Sequence, residues 1–144
     1  FMTVRQGYLV VGRSVEWRVR RTQYHRSTRG TVWHTAIKIG NGFVRSEYEV
    51  EIPAWLGRVL FFFGPRYLEK IRIAENGWDF DLFVGDLTGL YLAEAEVPSV
   101  NTPKPTPPAW LHLVTEVTGN PLYANKNLSR LTQTEAWDFL AVHA

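Results

Sequence analysis

Charged residues recur at every second position in five stretches of this chain: Arg18 and Arg20; Arg45, Glu47, Glu49 and Glu51; Lys70 and Arg72; Asp79 and Asp81; Glu94 and Glu96. Side chains two apart in an extended strand share a face. Each stretch therefore carries a charged stripe, almost purely Arg, Lys, Asp and Glu, with the signs segregated by strand. A half-exposed antiparallel strand with its polar side in water explains any one stripe. Five together favour a shared purpose. Adjacent carboxylates repel unless a cation compensates, and a divalent metal with oxygen ligands is such a cation. Converging Arg and Lys favour a polyanion such as a polyphosphate. A sheet closed with these faces inward would form a lumen where basic groups hold phosphates and carboxylates hold metals, a layout for phosphoryl transfer.

The elements that must position these stripes are mostly strands. Gly7–Val11, Val15–Arg21, Thr31–Ile39, Phe43–Ile52, Tyr67–Ile73, Trp78–Val84 and Leu90–Val97 are apolar, β-branched or alternating, and turn residues such as Gly40-Asn41-Gly42 and Glu75-Asn76-Gly77 separate several of them. Pro53 opens a helix over Ala54–Phe62, which Gly64-Pro65 ends. The opposite strand faces carry Trp17 and Val19, Tyr48, Val50 and Ile52, Phe80 and Leu82, and Ala93, Ala95 and Val97, an apolar surface suited to helices. Pro98, Pro103, Pro105, Pro107 and Pro108 mark an extended connector. Beyond it, Ala109–Val117 reads as a short helix, and Thr132-Gln133-Thr134-Glu135 is a capping box opening a terminal helix.

At 144 residues, 45% hydrophobic and 14% aromatic, the chain has material for one folded domain, residues 1–144, of α+β class. The absence of Cys excludes disulfides, thiolate metal sites and a Cys nucleophile. The longest unbroken apolar run falls far short of a membrane span, so no membrane partner is expected. No stretch resembles a signal peptide, and with no Cys a cytoplasmic location is expected. His25, His34, His112 and His143 lack ligand spacing, and neither a Ser-centred elbow nor a phosphate-binding Gly loop is present. Basic residues crowd the N-terminal third, but acids on the same faces would repel a nucleic acid backbone, so none is expected as partner.

In order along the chain stand Gln6-Gly7-Tyr8-Leu9, Trp17-Arg18-Val19-Arg20, Ala36-Ile37-Lys38, Arg45-Ser46-Glu47-Tyr48-Glu49-Val50-Glu51-Ile52, Glu69-Lys70-Ile71-Arg72, Asp79-Phe80-Asp81-Leu82-Phe83, a run from Gly85 to Glu96, and Asn125-Lys126-Asn127-Leu128. This ordered set resembles the CYTH superfamily of triphosphate tunnel metalloenzymes, which includes thiamine triphosphatases, inorganic triphosphatases and class IV adenylate cyclases. The resemblance implies an eight-stranded antiparallel β-barrel enclosing a charged tunnel, with helices outside, of which seven strands are visible here. It places Arg18, Arg20, Lys38, Arg45, Lys70, Arg72 and Lys126 among phosphate-binding residues, Glu49, Asp81, Glu94 and Glu96 among ligands of Mg2+ or Mn2+, and Glu47 and Lys70 in catalytic roles.

Two departures from the family pattern matter. No Glu-x-Glu-x-Lys strand precedes Gln6, and Ile73 stands where the family commonly has Tyr. A barrel short of its first strand would leave Gly7–Val11 as a bare edge, to be met by a second copy in a homodimer or by the chain's own tail at Leu113–Thr118. The function implied is metal-dependent hydrolysis of inorganic or organic triphosphates, including nucleoside triphosphates. The alternatives are a catalytically weak polyphosphate- or nucleotide-binding module, and nucleotide cyclisation.

Overall fold

Alternation in the sequence becomes one antiparallel sheet in the computed structural model, which describes residues 1–41, 44–64, 67–98, 101–103, 105–112 and 115–143. Its strands are β1 (Met2–Val11), β2 (Val15–Tyr24), β3 (Thr31–Asn41), β4 (Val44–Ile52), β5 (Tyr67–Glu75), β6 (Trp78–Val84) and β7 (Tyr91–Ala95). They lie in the order β4-β3-β2-β1-β5-β6-β7. Every neighbouring pair is antiparallel. Gly42 and Phe43 of the expected hairpin turn, and Pro65 after the helix, lie outside the described residues.

The expectation of a bare edge at Gly7–Val11 is corrected for β1 as a whole, though its end does run past β5: beyond Gly7, opposite Tyr67, the strand pairs with β2 alone. β1 begins at Met2 and pairs with β2 on one side and, through Met2–Gly7, with β5 on the other, so it lies mid-sheet. Met2 and Val4 alternate with Thr3 and Arg5, extending the strand beyond the apolar run that marked it in the sequence. The unpaired edges belong to β4 and β7. The tail does not supply a strand among the described residues, and Leu113 and Val114 lie outside them.

The sheet is not closed, but it is strongly curled. Lys38 of β3 and Glu94 of β7 line one cavity although they are five strands apart, about 24 Å in a flat sheet. A bulge between Tyr8 and Val10 contributes, because an extra residue bends its strand and increases the local twist. The concave face carries the even-numbered residues of β2, β3 and β5 and the odd-numbered residues of β4 and β6, which include the charged stripes.

Helix α1 (Ala54–Phe63) follows Pro53, whose φ of −66° suits a helix entrance. It packs on the convex face against β1, β2 and β3, where it covers Val19 and Trp33. It does not cover β4: Tyr48 and Val50 remain 64% and 55% exposed. The apolar convex face is thus only partly roofed.

Not all helices lie outside the curl. Leu68 and Phe83 sit two residues from Lys70 and Asp81 on the same face, and they pack with Leu87, Leu90, Leu128 and Ala136 into a second core. Leu128 comes from α2 (Asn125–Leu128) and Ala136 from α3 (Gln133–His143). The ionic stripes of β5 and β6 give way to Leu68 and Phe83, and this apolar end of the concave face is what the C-terminal helices cover. The capping box opens α3: Thr132 Oγ1 accepts from the Glu135 amide at 3.1 Å, and Glu135 Oε1 accepts from the Thr132 amide at 3.3 Å.

The helix expected at Ala109–Val117 does not form among the described residues. The β-branched Thr115, Val117 and Thr118 disfavour it, since a helix restricts their χ1 freedom. Trp110 instead packs on Phe80, with ring centroids 4.9 Å apart.

One glycine controls the convex core. Gly57 is buried where α1 crosses Trp33, and an added Cβ would lie 2.5 Å from Trp33 Cδ2. Gly to Ala inside a helix ordinarily stabilises by about 1 kcal/mol. Here overpacking reverses the sign, and Gly57→Ala is expected to cost about 1–3 kcal/mol in urea unfolding. A variant as stable as the parent would show that α1 is free to lift from Trp33.

Candidate functional site

The deepest charges on the concave face are Lys70 and Asp81, whose side chains are 1% and 0% exposed. Lys70 Nζ donates to Asp81 Oδ2 at 2.5 Å. Arg72, directly opposite Asp81 in the sheet, completes the group: its Nε donates to Oδ1 at 2.7 Å and its Nη2 to Oδ2 at 2.7 Å. Burial alone would raise the Asp81 pKa, but hydrogen bonds from Arg72 and the charge of Lys70 hold it below the ordinary carboxylate range. Burial pushes the Lys70 ammonium down despite Asp81. Arg72 also reaches Asp79 at 2.9 Å and Glu94 at 3.6 Å. Asp79 and Glu94 are themselves cross-strand partners, so Arg72 relieves a like-charge pair.

Next in the sheet is Arg18 on β2. Its Nη2 donates to Glu47 at 2.8 Å and to Glu49 at 3.1 Å, both on β4. Its Nε is buried and has no hydrogen-bond partner. Burial would raise the Glu49 pKa, yet the bond from Arg18 holds it low. Arg20 differs from the other basic residues that the sequence assigns to the site. Its Nε donates to Gln6 Oε1 at 2.9 Å, while Gln6 Nε2 donates to the Tyr8 hydroxyl at 2.6 Å. Among the described residues, Arg20 has no carboxylate oxygen within ion-pairing distance, whereas Arg18, Lys38, Arg45, Lys70, Arg72 and Lys126 all do. Burial, and then the charges of Arg18 and Arg72, push its pKa down. Burial also pushes the Tyr8 phenol up to about 12, so that group stays neutral.

Glu16 organises the far end of the face. Its carboxylate lies 2.9 Å from Lys126 Nζ on α2 and 3.7 Å from Arg45 on β4. Lys38, its cross-strand partner on β3, lies 3.9 Å from Glu47. Burial, then the Arg18 charge, lowers the Lys38 pKa. Lys38 also lines a wide cavity of about 770 Å³ with Arg72, Asp79, Glu94 and Glu96.

The structure therefore brings the sequence-predicted basic residues onto one concave surface. Arg18, Arg20, Lys38, Lys70 and Arg72 come from its strands, Arg45 from an edge strand, and Lys126 from α2. The expected acidic ligands do not converge: among the described residues, no three His, Asp or Glu side chains form a preformed metal cluster. Asp81 is engaged by Lys70 and Arg72, and Glu49 by Arg18. Glu96 lies just past the end of β7, which stops at Ala95 and not at Val97. Glu75, Glu94 and Glu96 are exposed carboxylates on this rim, and the last two belong to the expected metal ligands. A pair such as Glu94 and Glu96 suits Mg2+, which one or two carboxylates hold together with substrate oxygens and water. The sequence reading missed Gln6, Tyr8 and Glu16 as participants. Glu16 shares the alternation of Arg18 and Arg20, a signal already present in β2.

No helix among the described residues is long and apolar enough to cross a membrane. No family model matches the chain, and no solved structure does. A curated protein does match: the inorganic triphosphatase of Acetivibrio thermocellus is 33% identical over 132 residues, covering 86% of this chain and 78% of that protein. The aligned length takes in most of the curled sheet and its charged face, and the chain belongs to the family of that inorganic triphosphatase.

Proposed function

We propose that the chain binds and hydrolyses triphosphates as a CYTH-type tunnel enzyme dependent on Mg2+ or Mn2+. The observation that carries this reading is the missing counter-charge at Arg20. A half-buried guanidinium flanked by Arg18 and Arg72, oriented by the neutral amide of Gln6, offers its charge to an incoming anion. The buried Arg18 Nε–H, which lacks an acceptor, points to the same kind of partner. A phosphate chain supplies both negative charge and acceptor oxygens. The name of the relative supports a triphosphate.

In this reading Arg18, Arg20, Lys38 and Arg72 hold the chain, with Arg45 and Lys126 at its far end. Lys70 acts from beneath, fixing Asp81 and through it Arg72. In the same reading Glu47, partly exposed and bonded to Arg18, takes the proton of the attacking water. Water attacks the terminal phosphorus, the bridging P–O bond breaks, and phosphate and pyrophosphate leave. Glu94 and Glu96 would hold the metal, which supplies charge neutralisation on the phosphoryl oxygens.

Calorimetry is expected to show that inorganic tripolyphosphate binds more tightly than monophosphate, and more tightly still with Mg2+ or Mn2+. Equal affinity for both, with or without metal, rules the reading out. Replacing Glu94 and Glu96 by Gln together is expected to remove the metal enhancement and leave metal-free binding within about twofold; enhancement that persists would move the metal elsewhere. Arg20→Ala is expected to lower tripolyphosphate affinity by roughly tenfold or more, the size of a lost hydrogen bond to a charged group.

The lowered Lys38 pKa sets a pH dependence. Its charge is lost at a lower pH than that of an ordinary lysine, at 10.5, so affinity is expected to fall as pH rises through the shifted value. Lys38→Arg keeps its charge and is expected to hold the alkaline limb up. Identical limbs in parent and variant would remove Lys38 from the binding surface.

A further inference from the structure

Beside the wide rim cavity the concave face holds a second, much smaller chamber of about 60 Å³, lined by Arg13, Ser14, Glu16, Lys38, Arg45 and Lys126 among others. That space fits a few waters or one phosphoryl group, and is too small for a nucleoside. Four of these residues are cationic and one is anionic. Glu16 is the anion, with its side chain only 11% exposed. Its oxygen Oε1 is the shared counter-charge, 2.9 Å from Lys126 Nζ and 3.7 Å from Arg45 Nη1.

Lys126 and Arg45 need such an anchor. Both are long side chains with many rotamers, and ordering each has a substantial entropic cost. Arg45 stands on an edge strand and is 40% exposed in its side chain, while Lys126 comes from a helix of only four residues. Without an anion between them, like charge would drive both into solvent. Lys38 lines this chamber and the rim cavity alike, so in the triphosphate reading it is the residue that a phosphate chain spanning the two would share.

We propose that Glu16 is a positioning residue that holds Lys126 and Arg45 around this chamber, so that the site reads the third phosphate of a chain and favours triphosphate over pyrophosphate. This rests on the triphosphate reading above and adds chain-length selectivity to it. The carboxylate acts through the two cations and does not touch the phosphate.

The test is isothermal calorimetry with inorganic tripolyphosphate and pyrophosphate at fixed ionic strength, on the parent chain, Glu16→Gln, Lys126→Met and the double variant, with thermal melting in parallel. The parent is expected to prefer tripolyphosphate. Glu16→Gln is expected to lose about tenfold on tripolyphosphate and less than about twofold on pyrophosphate. The double variant is expected to bind like Lys126→Met alone, because the two residues act as a unit. Equal losses on both ligands, additive losses in the double variant, or tighter tripolyphosphate binding by Glu16→Gln would each overturn the proposal, the last by making Glu16 a merely repulsive charge. Should Glu16→Gln fail to fold, Lys126→Met decides: it must lose the chain-length preference, and retention of that preference overturns the idea. A parent that binds both ligands equally, and both better than monophosphate, refutes the selectivity while the polyphosphate reading stands. A parent that binds neither refutes both.

Discussion

Like charges gathered on a curled surface repel unless most of them are given a counter-charge, and this constraint shapes the concave face. Asp81 illustrates the solution. It is fully buried, which would be prohibitive for a lone carboxylate, and it is met by Lys70 from one side and by Nε and Nη2 of Arg72 from the other. The segregation of signs between β5 and β6 is therefore complementary pairing across a strand boundary. Glu47 and Glu49 meet Arg18 in the same way, and Glu16 meets Lys126 and Arg45. Against this background of paired charge, the neutral partner of Arg20 stands apart. Gln6 orients the guanidinium without cancelling it.

The curl that gathers these charges depends on apolar packing on both sides of one sheet. On the convex side α1 is drawn against Trp33 because Gly57 lets the helix backbone approach the indole ring. On the concave side Leu68 and Phe83 interrupt the ionic stripes and provide a seat for α2 and α3. Lys126 is thereby delivered to Glu16 by a hydrophobic contact, that of Leu128, two residues away. The site is thus positioned by greasy contacts at one end and by ion pairs along its length.

Much of this was legible in the alternation of residue types. A period of two over Arg18 and Arg20, Lys70 and Arg72, or Asp79 and Asp81 predicts both the strand and the shared face. The Thr132 to Glu135 spacing likewise predicts the start of α3. Strand order was not legible: β1 reads as an edge because only Gly7–Val11 is conspicuously apolar, yet Met2–Gln6 alternates too and pairs on both sides. Nor could spacing within a strand reveal partners between strands. Glu16 becomes a hub only when α2 folds back across the sheet, and Asp81 is seen to be engaged only once β5 and β6 are in register. The short α2 lacked any periodic signal, since four residues complete barely more than one turn.

The contact between Glu16 and Lys126 joins residues far apart in the chain, across the proline-rich connector and the Trp110 that follows it and rests on Phe80. Contacts of such long sequence separation require a large loop to close, and they form after the local hairpins have assembled. Both the seat for Leu128 and the partner of Lys126 exist only once β1, β2, β5 and β6 have joined. A chain still emerging during synthesis, or one arrested with its sheet formed and its C-terminal helices undocked, would carry the buried arginines but not the complete charged chamber. The order of assembly therefore makes closure of the charged chamber one of the last events in the folding of the protein.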